Sequence, residues 1–459
     1  MIAILNDYLE KQQQKVSAAR DLLGSDQNRL AEIDRVLIGS DYVADQLQRH
    51  PDLIEQLDLD AGELKAGILT EQVLSSVEAV ESEEALSVAL RRLRRLAMVR
   101  IIWRDLTRSA DLAETTRMLS ELADATTDAA LNWLHKDLVK DLGEPTDSAG
   151  NLQRMAVIGM GKLGAHELNL SSDIDLIFTF PNNGETQGGR RSLSNQEFFT
   201  RLGKRLIRVL DAPTAEGFVF RVDMRLRPFG SSGPLVASFD AMEQYYQTQG
   251  REWERYALIK ARIIAGNKEA GALLMKDLRP FVYRKYIDYS AFESLREMKG
   301  MIERENRLKG RENNVKLGSG GIREVEFIAQ AFQLIRGGRD TRLQQRELCN
   351  ILPLLPEAVG IPESVVTELT EAYVFLRNVE HAIQAQADKQ TQELPADDLG
   401  MQRLAYSMGF NSAEALLTEL NDHRSRVSKH FADVIAPVDQ EDNAEQIESD
   451  AHLTGLWHE

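Results

Sequence analysis

Two aspartates alternate in the segment Ser172-Asp173-Ile174-Asp175-Leu176, and a third stands in Arg221-Val222-Asp223-Met224. In an extended chain successive side chains point to opposite faces, so Asp173 and Asp175 share one face, about 7 Å apart. Asp is depleted from strands, and two on one face need a reason. A hard divalent cation supplies it: carboxylates from neighbouring strands make an oxygen-rich Mg²⁺ site whose remaining positions phosphate oxygens can fill. Asp223 is the natural third ligand. The competing reading is a charged strand edge that resists aggregation. Asp58-Leu59-Asp60 has the same spacing with no glycine turn beside it and reads as a loop. What sets Asp173 and Asp175 apart is their company of glycines, serines and a second aspartate-bearing strand.

The glycine turn is Gly159-Met160-Gly161-Lys162-Leu163-Gly164. Its G-x-G-x-x-G spacing raises a dinucleotide-binding fold, but the next strand starts within about ten residues, too few for the crossover helix that fold requires. Glycines that let backbone N–H groups approach phosphate, with Lys162, Ser171 and Ser172 nearby, fit a triphosphate or phosphodiester cradle instead.

These residues need strands to position them. Met155 to Gly159 and Ile174 to Phe180 are short apolar runs that predict buried strands, joined by a turn and at most two helical turns. Gly217 to Pro228 alternates throughout and predicts a third strand. Its apolar face is Phe218, Phe220, Val222, Met224 and Leu226, and its charged face is Arg221, Asp223, Arg225 and Arg227. Ser194 and Glu197 form a capping box that opens a helix through Asp211, with Phe199, Leu202, Leu206 and Leu210 in one stripe. A further helix is expected from about Asp240 to Ala265. On it Glu252, Tyr256 and Lys260 fall four apart, either as ordinary i,i+4 neighbours or with Lys260 reaching a phosphate.

The rest of the 459 residues reads mainly as helix, with 43% hydrophobic residues and only 12 prolines. Helices fill the first 150 residues up to Gly143–Gly150, a Gly/Pro-rich stretch that predicts a domain boundary, and they return from about 290. Breaks are expected at Gly318–Gly321 and around Pro353–Pro362, and the acidic run Asp439–Asp450 reads as a linker. Arg91–Arg104 is a basic cluster best read as a helix pairing with acidic neighbours. Glu324 and Glu326 are equally well ordinary helix-surface residues. The net charge of −17 argues against broad nucleic-acid binding. The single cysteine, Cys349, excludes an intrachain disulfide and reads as a buried small hydrophobe. No apolar run approaches the about 18 residues that span a bilayer, so a soluble, cytoplasmic protein is expected.

GMGKLGAHELNLSSDIDLIF (159–178), RVDMRLRPFGSSGPL (221–235) and GREWERYALIKARIIAG (250–266) resemble the glutamine synthetase adenylyltransferase/adenylyl-removing enzyme family, within the polymerase-β-like nucleotidyltransferases. GSGGIREVEFIAQAFQLIRGG (318–338) and LRNVEHAIQ (376–384) are similar to the helical domain following that catalytic core. Ala165 stands where the family often has a second glycine, a departure of one methyl group. The resemblance implies an α+β, mainly helical fold: an N-terminal helical region (1–150), a nucleotidyltransferase core (151–270), a C-terminal helical bundle (271–438) and an acidic tail (439–459).

Family members carry two such halves, one adding AMP to a tyrosine of glutamine synthetase and one removing it. The Asn-Leu-Ser-Ser-Asp-Ile-Asp form, the segment 187–211 and the helical start look like the N-terminal, adenylyl-removing half, so the chain is expected to be a piece ending in the linker. Phosphorolysis is then implied: inorganic phosphate attacks the adenylyl phosphorus and ADP leaves. Asp173, Asp175 and Asp223 would hold Mg²⁺, as two ions, while Gly161, Lys162, Ser171, Ser172, Arg225, Arg227 and Lys260 would bind phosphate groups. Arg227 precedes Pro228 and serves equally well as a structural residue. Glutamine synthetase and the PII signalling protein are the implied partners. Two alternatives stand beside this one: the same fold adding AMP from ATP, and a silent domain that only binds glutamine synthetase or PII.

Overall fold

The computed structural model describes residues 2–57, 62–284, 289–308 and 311–433. The Asp58-Leu59-Asp60 comparison and the acidic run Asp439–Asp450 lie outside the described residues. The fold is α+β and mainly helical, and it divides into two compact units, Glu55–Val282 and Met1–Ile54 with Tyr283–Glu459. The first 54 residues thus group with the C-terminal helices, not with the helices that follow them.

The Glu55–Val282 unit is built on a sheet whose centre is β2 (Ala156–Gly159) and β3 (Ile174–Phe180), antiparallel to each other. The apolar runs predicted both. On its other edge β2 pairs antiparallel with β7 (Arg262–Gly266). The outer edge of β3 is shared by two short parallel partners, β5 (Val222–Asp223) at its start and β6 (Val236–Ser238) at its end. A separate two-stranded ribbon pairs β1 (Gly143–Asp147) with β4 (Gly184–Gly188).

The first five residues of Gly143–Gly150 pair as β1, with Pro145 tolerated in a ribbon that has no central strand. The structure corrects three expectations. The 217–228 strand shrinks to two residues. Val219 and Phe220 are both buried, which breaks the alternation, and Asp223 turns back to accept from the Arg225 N–H, a local bond that competes with the ladder. The 240–265 helix is three elements: Phe239–Thr248, Glu252–Leu258 and β7. Gly250 lies tight against the Phe281 ring, and the β-branched pair Ile263-Ile264 is taken by the edge of β2. The Pro353–Pro362 stretch holds short helical turns at Leu352–Leu354 and Leu355–Val359.

Helices cover the sheet for reasons visible in the residues. In Asn195–Asp211, Ser194 accepts from the Glu197 N–H and the predicted stripe Phe199, Leu202, Leu206 and Leu210 is fully buried. Gly203 is where this helix meets the sheet, since a Cβ there would come 2.8 Å from the Phe178 ring. Phe199 stacks on Phe180 at 4.9 Å. The basic cluster lies in the helix Glu83–Thr107 and pairs largely as expected. Arg92 and Arg95 meet Glu216, Arg104 meets Glu114, and Arg91 is buried on the carbonyls of Ala212 and Gly217.

His135, on the helix Leu112–Leu142, is buried edge-on against Phe198, and burial followed by the Arg154 charge pushes its pKa down to about 3. The sign follows directly. The unfolded chain takes up the proton near pH 6.5 while the folded chain resists it down to about 3, so stability falls as pH drops through that window. The slope is at most about 1.4 kcal/mol per pH unit. Denaturant titrations of the wild type and His135→Gln between pH 7 and 4 should show a shallower acid loss in the variant, and parallel curves would contradict the assignment.

In the other unit, the N-terminal helices Gln27–Gly39 and Asp41–Arg49 are tied to the C-terminal ones. Ser40 caps the second while its hydroxyl donates to the Ala385 carbonyl, and Arg403 donates to the Ile38 carbonyl and pairs with Asp41. Cys349 is exposed on the short helix Leu348–Ile351, contrary to its expected burial, because Leu348 and Ile351 take the inward positions of that single turn. Among the described residues no helix is long and apolar enough to cross a membrane.

Candidate active site

The parallel register of β3 and β5 carries the site. Ile174 pairs with Val222 and Asp175 with Asp223, so the two carboxylates stand on adjacent strands at matched positions and project to one face. The Ile174 N–H donates to the Arg221 carbonyl at 2.8 Å, fixing that register. Asp173, one residue before the start of β3, is on the same parity as Asp175. Both are half-buried.

Arg225 shows that the three aspartates share one field. Its guanidinium is exposed and pairs with Asp223, and its pKa is raised first by that hydrogen bond and also by the charges of Asp173 and Asp175. At Asp223 burial pushes the pKa up, but the side-chain and backbone hydrogen bonds of Arg225 and the charges of Arg225 and Arg227 outweigh it. The carboxyl stays below the usual range and is ionised at neutral pH. A cation therefore already rests where three hard oxygen donors face, and the donor chemistry fits Mg²⁺. Among the described residues no three Asp, Glu, His or Cys side chains converge on one point, and Asp223 is engaged by Arg225.

The glycine turn backs onto the same carboxylates. The Met160 N–H donates to the Asp175 carbonyl at 2.9 Å, and Gly161 has a left-handed φ of 54°. A Cβ at Gly161 would stand 2.9 Å from Asp175 Oδ2, so the turn leaves room for the carboxylate only because Gly161 has no side chain. Lys162 sits on the one-turn helix Gly161–Gly164. Gly164 is held by backbone: a Cβ there would come 2.0 Å from the Lys260 carbonyl and 2.5 Å from that of Gly159. Gly164→Ala should cost about 3 kcal/mol by overpacking against atoms that cannot rotate away. Chemical denaturation reads this, and a loss within 0.5 kcal/mol, the scatter of ordinary surface changes, would contradict it.

The remaining candidates are not all gathered at the carboxylates. Ser171 is buried with its hydroxyl accepting from Arg221 at 2.9 Å, while Ser172 is half-buried beside Asp173. Arg227 donates to the carbonyls of Met224, Ser231, Gly233 and Pro234, a set of contacts that locks the 224–234 loop. Lys260 lies beyond the end of Glu252–Leu258, so it does not share a helical face with Glu252 and Tyr256; its ammonium is buried 3.1 Å from Glu167. Glu252 pairs with Arg255.

Three residues near the turn escaped the sequence reading: Glu167, Asp124 and Arg262. Arg262 falls within the helix expected over Asp240–Ala265, and only the strand pattern of RIIAG points to its partner on β2. Phe229, in the 224–234 loop, is an exposed aromatic ring with a left-handed φ of 60° that packs on Tyr245.

A family model described as glutamate-ammonia ligase adenylyltransferase matches residues 30–276, more than half of the chain. A second, described as GlnD PII-uridylyltransferase, matches residues 296–435. Among curated relatives, a bifunctional glutamine synthetase adenylyltransferase/adenylyl-removing enzyme of Pseudomonas aeruginosa is 54% identical over 440 residues, 94% of this chain and 45% of the relative. Proteins of the same description from Hahella chejuensis and Thioalkalivibrio sulfidiphilus are 52% and 50% identical, covering 90% and 100% of this chain. The chain spans less than half the length of these relatives.

Proposed function

The chain belongs to the glutamate-ammonia ligase adenylyltransferase family, and from that premise we propose that it removes AMP from the adenylylated tyrosine of glutamine synthetase by phosphorolysis. The observation that carries the catalytic part of this reading is the pairing of Asp175 with Asp223 on parallel strands beside Asp173, backed by the glycine turn. The direction rests on the likeness of the Asn-Leu-Ser-Ser-Asp-Ile-Asp segment to the adenylyl-removing half. The match of residues 296–435 to a PII-uridylyltransferase model supports PII as a regulatory partner.

In the proposed reaction an oxygen of inorganic phosphate forms a bond to the adenylyl phosphorus as the bond from phosphorus to the tyrosine oxygen breaks. The products are ADP and a phenolate, which takes its proton from solvent. Phosphate is already an anion, so no strong general base is demanded. Asp173, Asp175 and Asp223 would hold Mg²⁺, which when bound supplies charge neutralisation for the phosphate oxygens. The chain's own residues bind and orient: Lys162 and the Gly161 backbone on one side, Ser172 beside Asp173, and Arg225 once it is released from Asp223. Arg227, Arg221 and Ser171 hold the strands and loops that carry these groups.

The test offers adenylylated glutamine synthetase and Mg²⁺ with and without inorganic phosphate, with PII and uridylylated PII as separate additions. ADP release that depends on phosphate supports the proposal. Phosphate-independent release of AMP would mean hydrolysis, and labelling of unmodified glutamine synthetase from ATP would mean the adding reaction; either replaces it.

A further inference from the structure

We propose that Arg262 is the positioning residue of the glycine turn, anchored by Asp124; as a statement about catalysis this rests on the function proposed above. Arg262 opens β7, and its backbone pairs with Gly159, the first residue of the turn. Its side chain then reaches the other end: Nη2 donates to the Leu163 carbonyl at 3.0 Å and Nε to the Gly164 carbonyl at 3.2 Å. Both ends of a six-residue segment are therefore fixed by one residue.

Asp124 sets the guanidinium's orientation. It accepts from Nη1 at 2.6 Å and from Nη2 at 3.1 Å, a two-point contact that a planar fork makes and an ammonium cannot. The carboxylate projects from the helix Leu112–Leu142, so the turn is referenced to the longest described helix of its unit. Burial pushes the Asp124 pKa up to about 6 against the pull of Arg262 first and the Lys268 charge after it, so a half-buried charge is held in place chiefly by this partner. Such a pair is weak evidence for stability and better evidence for a fixed geometry. The geometry it fixes is that of Gly161 against Asp175, since the turn hydrogen-bonds the Asp175 carbonyl and clears its carboxylate by the width of a missing methyl group.

The experiment uses the full chain with Arg262→Lys, which keeps the charge and loses the fork, and Asp124→Asn, which keeps the shape and loses the charge. Amide exchange is read by peptide across the unit, and turnover is read in parallel. Arg262→Lys is expected to speed exchange at 160–165 by about tenfold while the β3 and β6 amides stay protected. Turnover is expected to fall by about tenfold or more, as misplacement of a positioned group does. Asp124→Asn should move both in the same direction, and the double variant should be no worse than the poorer single one. Unchanged exchange at 160–165, faster exchange spread evenly over residues 55–282, or local loosening with wild-type turnover would each overturn the proposal. Should the wild type perform neither AMP removal nor addition, the reading of function fails while the exchange arm still decides whether Arg262 holds the turn.

Discussion

Asp175→Asn is expected to lower turnover by at least about 1,000-fold, the upper end of what removing one well-placed electrostatic group costs. Asp175 has three attachments to the site: its side chain fills the space left by Gly161, its carbonyl receives the Met160 N–H, and its register partner is Asp223. The amide keeps the shape and hydrogen-bonding room of the carboxylate, so the fold should survive while one negative charge is lost from the face that Asp175 shares with Asp173 and Asp223. Asp173→Asn should do the same. Steady-state rates at saturating Mg²⁺ with thermal unfolding as a control separate the two effects, and wild-type rates from both variants would remove the metal assignment.

The second large effect is at Asp223. Asp223→Ala is expected to cost at least about 100-fold in rate, and more than loss of the proposed metal ligand is involved. Asp223 also accepts from the Arg225 backbone and side chain, so the variant frees the turn that ends β5. Asp223→Asn keeps the acceptor oxygen for the Arg225 N–H and isolates the charge; its rate should stay close to that of Asp223→Ala. If Asp223→Ala loses less than about threefold, below the range for even a modest electrostatic contact, Asp223 is only a strand-face residue.

The strands that hold the carboxylates were legible because their signals are local. Ala156–Gly159 and Ile174–Phe180 are apolar runs closed by glycines or by polar residues, and Ser194 announces its helix through a cap bond. The parity of Asp173 and Asp175 followed from the same local rule. What the sequence hid depends on distant partners. β5 was overextended because the alternation of Gly217–Pro228 cannot reveal that Asp223 bonds to its own backbone two residues on. β7 is hidden by the helical pattern that Glu252–Leu258 carries up to Ile259, and only the open edge of β2 makes a strand of Arg262–Gly266. Lys260 is placed by the same break: on a continuous helix it would share a face with Tyr256, whereas beyond the break it turns inward to Glu167. Likewise, nothing in the spacing of Arg227 shows that four backbone carbonyls surround it.

If these carboxylates serve the proposed phosphate-dependent removal of AMP, the fate of labelled phosphate reports it. Adenylylated glutamine synthetase is incubated with the chain, Mg²⁺ and ³²P-labelled inorganic phosphate, and the nucleotides are separated. Label is expected in the β-phosphate of ADP, in amounts equal to the tyrosine freed, and none of it with Asp175→Asn. Freed tyrosine accompanied by AMP, with the label still in inorganic phosphate, would contradict it.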